Sequence, residues 1–364
     1  FNGVDVLQPR DFIKIYNTTY IRKIILGHKS WLQRGQPCHT LPVPMKSEAT
    51  FTRALEQAEP PTTEKEKIKL QKAMKFNYQQ AIGELIYAMV TCRPNISFPL
   101  IKLSQYSQNP AQEHYEAVKT IFHYLMCTED KGIHYWRSSP NADLPTPETS
   151  FDDEQDNSEA RLQDYSGVLK AASDSDWGGD TKHRKSITGL VIKLAGGCIY
   201  YKTKYQPTIA LSLTEAEFVA ATDTAKSILY VRTILEEIGI EQKDATILHI
   251  DNNGALNMAN QQQPTRGTRH MELKQFAIQQ WVEKDIIYLK RITTADNYAD
   301  AMTKPVGRTK HYVHFDYIMG YLRPSFAINL GFVPGDSCVS RMGGVSGPIS
   351  QDNMVRRDDD DNTQ

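Results

Sequence analysis

The stretch SITGLVIKLAGGCIYYKTK, residues 186 to 204, carries two apolar runs on either side of Gly196-Gly197. Glycines between two such runs supply the positive φ that a tight turn needs, and this pattern predicts a β-hairpin. Upstream, AASDSDWGGD (171 to 180) contributes a short strand running up to Ser173, and downstream TIALS (208 to 212) supplies a third strand. LTEAEFVAATDTAKSILYVRTILEEIG follows, with Phe218, Ala225, Ile228, Leu235 and Ile238 at helical spacing, which predicts one long helix. ATILHID is a strand, NNGALNMAN a short helix, HMELKQFAIQQWVEKD a further helix and IIYLKRI another strand, while DNYADAMTK opens the last helix. The order βββαβαβα predicts an α/β unit, a mixed sheet covered by helices.

Residues 1 to 137 read as mixed and mostly helical. FNGVDVLQPRDFIKIY alternates as a strand pair does, with Pro9 near its turn. NYQQAIGELIYAMVTC places Ile82, Leu85, Ile86 and Met89 on one helical face and stops before Arg93-Pro94. EHYEAVKTIFHYLMCT does the same with Val118, Ile121, Phe122 and Leu125. Residues 138 to 165 are rich in proline, serine and acid and read as a flexible linker. Residues 166 to 325 form the α/β unit, and 326 to 364 end in a disordered tail, clearest from 335 onward.

Composition narrows the function classes. The 364 residues are 40% hydrophobic and 23% charged with a net charge of −1, so no global basic field points to nucleic acid. The five cysteines, Cys38, Cys92, Cys127, Cys198 and Cys338, show no CxxC spacing, which predicts reduced thiols in an intracellular protein and no zinc module. No apolar run is long enough for a bilayer and no signal peptide is present. Phe1 in place of a methionine suggests a piece of a longer product.

Four acids fall near strand and helix ends, where such sheets place chemistry. Asp174 ends the first strand, Glu217 lies in the first turn of the long helix, Asp251 closes ATILHID and Asp300 starts the last helix. Four convergent oxygen ligands without His or Cys suit Mg²⁺ or Mn²⁺, and two such ions roughly 4 Å apart cleave phosphodiesters. Each acid also has a plain structural reading. Thr214-Glu-Ala-Glu217 fits a capping box, Asp251 a helix N-terminus, Asp300 a helix dipole and Asp174 a turn.

Taken together, SDSDWGGD, RKSITG, ALSLTEAEF, DNNGAL, TRHMEL and NYADAMTKP resemble the ribonuclease H domain of copia-type LTR retrotransposon Pol polyproteins. The resemblance implies a ribonuclease H-like mixed sheet with flanking helices, and Asp174, Glu217, Asp251 and Asp300 as catalytic, metal-binding residues for two Mg²⁺ or Mn²⁺ ions. FNGVDV, YQQAIGELIYAMVTCRPNISF and HYEAVKTIFHYL resemble the thumb and connection of the reverse transcriptase from such elements. The Tyr-x-Asp-Asp pair of its palm does not occur, and SFDD at 150 to 153 lacks the first aromatic, so polymerisation is not expected. RITTADNYAD lacks the histidine loop of many ribonucleases H, His270 is assigned no such role, and Asp176 reads as a turn residue.

The implied substrate is an RNA–DNA hybrid, read in its minor groove through 2′-hydroxyls. Arg184 and Lys185 before the hairpin, Lys202 and Lys204 after its turn, and Arg269 are the candidates for gripping phosphates, with Lys182, His183 and Arg266 beside them. Trp177, Tyr200 and Tyr201 offer aromatic faces. The implied partners are the hybrid and the missing palm and fingers, without membrane or zinc. Location is intracellular, with a cytoplasmic particle and the nucleus both open. Two rival readings stand: a catalytically silent relic or nucleic-acid-binding fragment, and a DDE-type integrase or transposase. The second expects its glutamate last, whereas Glu217 comes second.

Overall fold

The computed structural model describes residues 3–9, 12–32, 42–136, 167–180, 183–260 and 272–321. The expected linker at 138–165 and the tail from 326 lie outside these described residues. Strands β1 (Asp5–Leu7) and β2 (Phe12–Tyr16) pair antiparallel, as the alternation predicts. Helices α1 (Thr18–Gly27), α2 (Ala49–Gln57), α3 (Glu64–Met74), α4 (Tyr78–Cys92), α5 (Ser97–Ser104) and α6 (Gln112–Cys127) follow, and β3 (Gly132–Trp136) then returns to pair with β2. Asn77 starts α4 by accepting a hydrogen bond from the Gln80 N–H at 3.0 Å, and Pro94 ends it by disfavouring helical backbone at Arg93. Val118, Ile121, Phe122 and Leu125 of α6 are all fully buried against Ile82 and Leu85 of α4. Ile86 falls off that face and is 38% exposed.

The second unit runs β4 (Lys170–Asp176), β5 (Ile187–Leu194), β6 (Gly197–Tyr205), α7 (Leu213–Glu237), β7 (Thr246–Ile250), α8 (Asn253–Asn260), α9 (Glu272–Glu283) and β8 (Ile287–Arg291). A 3-10 turn over Tyr298–Met302 and helix α10 (Arg308–Ile318) complete it. Its five-stranded sheet has the order β6-β5-β4-β7-β8, antiparallel through β6, β5 and β4 and parallel from β4 through β7 to β8. The unit is α/β with a mixed sheet, as the element order predicts. In the hairpin, Ala195 (φ 52°) and Gly196 (φ 84°) form the turn, and Gly197 already belongs to β6. Gly197 has a separate reason to be glycine, since a Cβ there would lie 2.3 Å from the His134 carbonyl oxygen of β3.

Three local expectations need correction. TIALS is not a strand: the third strand is β6, the hairpin's own second arm. Residues 208–212 bridge to α7, Ile209 and Leu211 are exposed, and the Leu211 N–H donates to the Glu215 carboxylate at 2.7 Å instead of to a ladder. Asp300 lies in the 3-10 turn, ahead of the last helix. Cys127 is disulfide-bonded, whereas Cys92 and Cys198 are buried free thiols. Sequence spacing cannot reveal that pairing, because it depends on which distant segments the fold brings to α6.

The two units share a seam along β3 and α10. The His134 N–H donates to the Met319 carbonyl at 2.8 Å, the Trp136 N–H to Ala195 at 2.8 Å, and Lys131 pairs with Asp316 at 2.7 Å. His311 lies in this seam, with its Nε2 hydrogen-bonded to the Tyr124 hydroxyl at 3.1 Å. Burial, aided by the charges of Lys131, His314 and Arg93, pushes its imidazole down to about 3 from 6.5. The folded chain therefore refuses a proton that the unfolded chain accepts, so stability is present above 6.5 and drains away as pH falls toward 3. The loss from this group is about 1.4 kcal/mol per pH unit. A His311→Gln variant, unfolded in urea between pH 7 and 4, should show a stability–pH slope shallower by about that amount. Parallel slopes for variant and parent would contradict a neutral buried imidazole.

Candidate metal centre

Asp174 sits inside β4, two residues before its end, opposite Gly189 of β5. A Cβ on Gly189 would lie 2.7 Å from Thr303 Cγ2, 2.8 Å from Met302 Cβ and 3.0 Å from the Ala299 carbonyl oxygen. Glycine thus lets the 3-10 turn lie directly on the strand, beside Asp174. From that turn, the Thr303 hydroxyl donates to Asp174 Oδ2, and the Asn297 amide donates to Asp174 Oδ1 at 3.4 Å and to the Ser173 carbonyl at 3.1 Å. Gly189→Ala should cost about 1–3 kcal/mol through overpacking and loosen the turn's hold on Asp174. Urea unfolding measures this directly, and a neutral substitution would show that the turn yields freely.

Glu217 comes from the second turn of α7 and is 4% exposed. The plain capping reading of this acid belongs to its neighbours. Ser212 accepts from the Glu215 N–H at 3.1 Å, and Glu215 reaches back to Leu211. Glu217 is left to point inward, where it accepts from the Ser175 N–H and its Oε2 is buried with no partner. Asp251 follows β7, and again the neighbour takes the cap: Asn252 accepts from the Ala255 N–H at 3.0 Å. Gly254 permits the close approach of this corner to α7, since a Cβ there would lie 2.8 Å from Thr214 Oγ1. At Asp300, the fourth acid, Asn297 caps the 3-10 turn by accepting from the Ala299 N–H at 3.2 Å.

The outcome is a cluster. Asp174, Glu217 and Asp251 each offer a carboxylate oxygen, and all three lie within 4.8 Å of one another. Burial raises the Asp174 and Glu217 carboxyls well above the usual carboxylate range. Next in weight, Asp300 acts on Asp174, and Asp174 and Asp251 act on Glu217. Three convergent hard oxygens that repel one another, one of them buried and unpartnered, fit a divalent cation of the Mg²⁺ or Mn²⁺ class. Asp300 adjoins Asp174 and is 1% exposed, but it stands outside the trio. Its Oδ1 pairs with Lys304 and its Oδ2 with Lys310 at 2.7 Å.

Asp176 ends β4, and its carbonyl accepts from the Gly179 N–H at 3.5 Å, so it does open a turn. Burial raises its carboxyl, against the opposing charges of Lys304 and Lys102. The expected phosphate-gripping residues are dispersed. Arg184 is exposed at φ 57°, Lys185 is half-buried and Lys202 is exposed on β6, while Lys204 pairs with Asp223 of α7 at 2.6 Å. Arg269, Lys182, Arg266 and His270 lie outside the described residues. Trp177 is 48% exposed and its indole N–H donates to the Ala210 carbonyl at 3.1 Å. Asn297, Thr303, Lys304 and Lys310 were not singled out from sequence, although the first three sit in the NYADAMTKP stretch.

No protein-family model matches the chain. Over 69% of its length it is 32% identical to the retrovirus-related Pol polyprotein from transposon TNT 1-94 of Nicotiana tabacum, of which it spans 16%. Over 42% of its length it is 30% identical to secreted RxLR effector protein 161 of Plasmopara viticola, covering 90% of that protein. Among solved structures it is similar to LC11-RNase H1, isolated from compost, at 12% identity and a TM-score of 0.30, over 38% of this chain and 93% of that one.

Proposed function

Because this chain belongs to the retrovirus-related Pol polyproteins of transposons, of which it spans one segment, we propose that residues 166–325 hydrolyse the RNA strand of RNA–DNA hybrids with divalent metal. The observation that carries this reading is the convergence of Asp174, Glu217 and Asp251 around the unpartnered Glu217 oxygen. Residues 1–137 are then the thumb and connection of the reverse transcriptase, without its palm.

Bound there, a divalent cation supplies a water of lowered pKa and neutralises charge building on the scissile phosphate. The chain's own groups prepare the place. Thr303 and Asn297 hold both oxygens of Asp174 in one orientation, and the Ser175 N–H does the same for one oxygen of Glu217. Asp300 beside Asp174 is the carboxylate that would complete the two-ion arrangement the resemblance implies. Arg184, Lys185 and Lys202 contribute backbone grip through exposed or half-exposed cationic side chains, and Lys204 joins them from its pairing with Asp223.

The test is cleavage of a labelled RNA–DNA hybrid in Mg²⁺ or Mn²⁺ by the chain and by its Asp251→Asn variant. Metal-dependent cutting of the RNA strand, lost in the variant, is the expected result. A well-folded chain that cuts nothing would instead be a silent relic that keeps the residues without the activity.

A further inference from the structure

Among the described residues, Asp300 differs from the other three acids in being ion-paired through both of its oxygens. Lys304, four residues on and just past the turn, pairs with one of its oxygens, and Lys310, brought in by α10, pairs with the other at 2.7 Å. The carboxylate they hold is buried, while both lysine side chains stay partly exposed. The charges of Asp174 and Asp176 also act on the partly exposed Lys304 ammonium.

We propose that Lys304 and Lys310 supply the two positive charges that a second ion would otherwise bring, so that the chain binds a single divalent cation, held by Asp174, Glu217 and Asp251. The proposal rests on the metal-centre reading above and departs from its two-ion expectation. Charge counting supports it. Once an ion is bound and all four carboxylates have given up their protons, they carry four negative charges, the two ammonium groups return two, and one divalent ion returns the remaining two. A second divalent ion would leave the cluster with surplus positive charge. To be ligated by Asp300 it would first have to displace an ammonium group already paired with one of that carboxylate's oxygens, and so would bind more weakly than the first ion.

Ion counting tests this without any cleavage assay. Mn²⁺ binding to the full chain, without nucleic acid, is measured by equilibrium dialysis with paramagnetic resonance of the free ion. Circular dichroism confirms folding of each variant. The parent should bind one Mn²⁺ per chain, and Lys304→Met/Lys310→Met should bind a second with affinity raised roughly tenfold or more. If the double variant does not fold, Lys310→Met alone should show a smaller gain in the same direction. Two ions on the parent at comparable affinity, or no gain in any folded variant, would overturn the role of the lysines while leaving the metal centre standing. No ion on the parent would remove the metal centre itself, and this proposal with it.

Discussion

Asp174→Asn should lower metal-dependent hybrid cleavage by roughly 10³-fold or more, equivalent to about 4 kcal/mol of lost transition-state stabilisation. The substitution keeps the shape of the side chain and the oxygen that accepts from the Asn297 amide, and puts an NH2 donor where the other oxygen accepts from the Thr303 hydroxyl. What it removes is the anionic charge that, with Glu217 and Asp251, makes the cluster a cation site. Far-UV circular dichroism should therefore be unchanged while activity collapses. Asp176→Asn is the matched control. Asp176 lies two residues further along the same strand, is equally an acid, and stands outside the trio. Its replacement should change cleavage by less than about tenfold. Equal effects of the two substitutions, in either direction, would show that the trio has no special standing.

Glu217→Gln should make the metal-free chain more stable, on the order of 2 kcal/mol at pH 7 in EDTA. Burial and the charges of Asp174 and Asp251 raise this carboxyl in the folded state above its ordinary value of 4.5. The stability associated with its protonated form is thus fully present below 4.5 and is lost as pH rises toward the raised folded value. At pH 7 the metal-free folded chain therefore holds a proton on Glu217 that the unfolded chain has released, and this uptake costs stability. Glutamine removes that penalty and retains the hydrogen bond from the Ser175 N–H. The same variant should lose most of the stabilisation that the parent gains from saturating Mg²⁺, about 2.7 kcal/mol at a hundredfold excess over the dissociation constant. A calorimetric scan in EDTA and again in Mg²⁺ reads both effects. Should the variant melt lower than the parent in EDTA, Glu217 would be a structural ligand of the fold and not a strained member of a cation site.

Much of this architecture is legible in local sequence because local physics decides it. The hairpin at 195–196 follows from short-range backbone freedom, and α4 ends at Arg93 because Pro94 follows. The buried stripe of α7 through Phe218, Ala225, Ile228 and Leu235 follows from a 3.6-residue period. TIALS was misread by the same local logic. Its apolar pattern resembles a strand, but the position beside β5 is taken by β6, so its backbone has no ladder to join. Ile238 was misread as core because periodicity does not say where a helix leaves the sheet it covers, and the side chain is 64% exposed.

The site shows the same division. Residue type and order alone were enough to mark Asp174, Glu217, Asp251 and Asp300 as a possible set, but each retained a capping or turn role in sequence. Only the tertiary structure assigns the caps to Ser212, Asn252 and Asn297, and so leaves the acids available. It also separates Asp300 from the other three by bringing Lys310 across from α10 and turning Lys304 back onto it. Helix and hairpin formation depend on residues a few positions apart, whose interactions the sequence states directly. Carboxylate proximity and ion pairing depend on the parallel register of β4 with β7 and on the packing of the 3-10 turn against Gly189. Those contacts join segments up to 129 residues apart, as from Asp174 to Thr303, and they exist only once the sheet has closed.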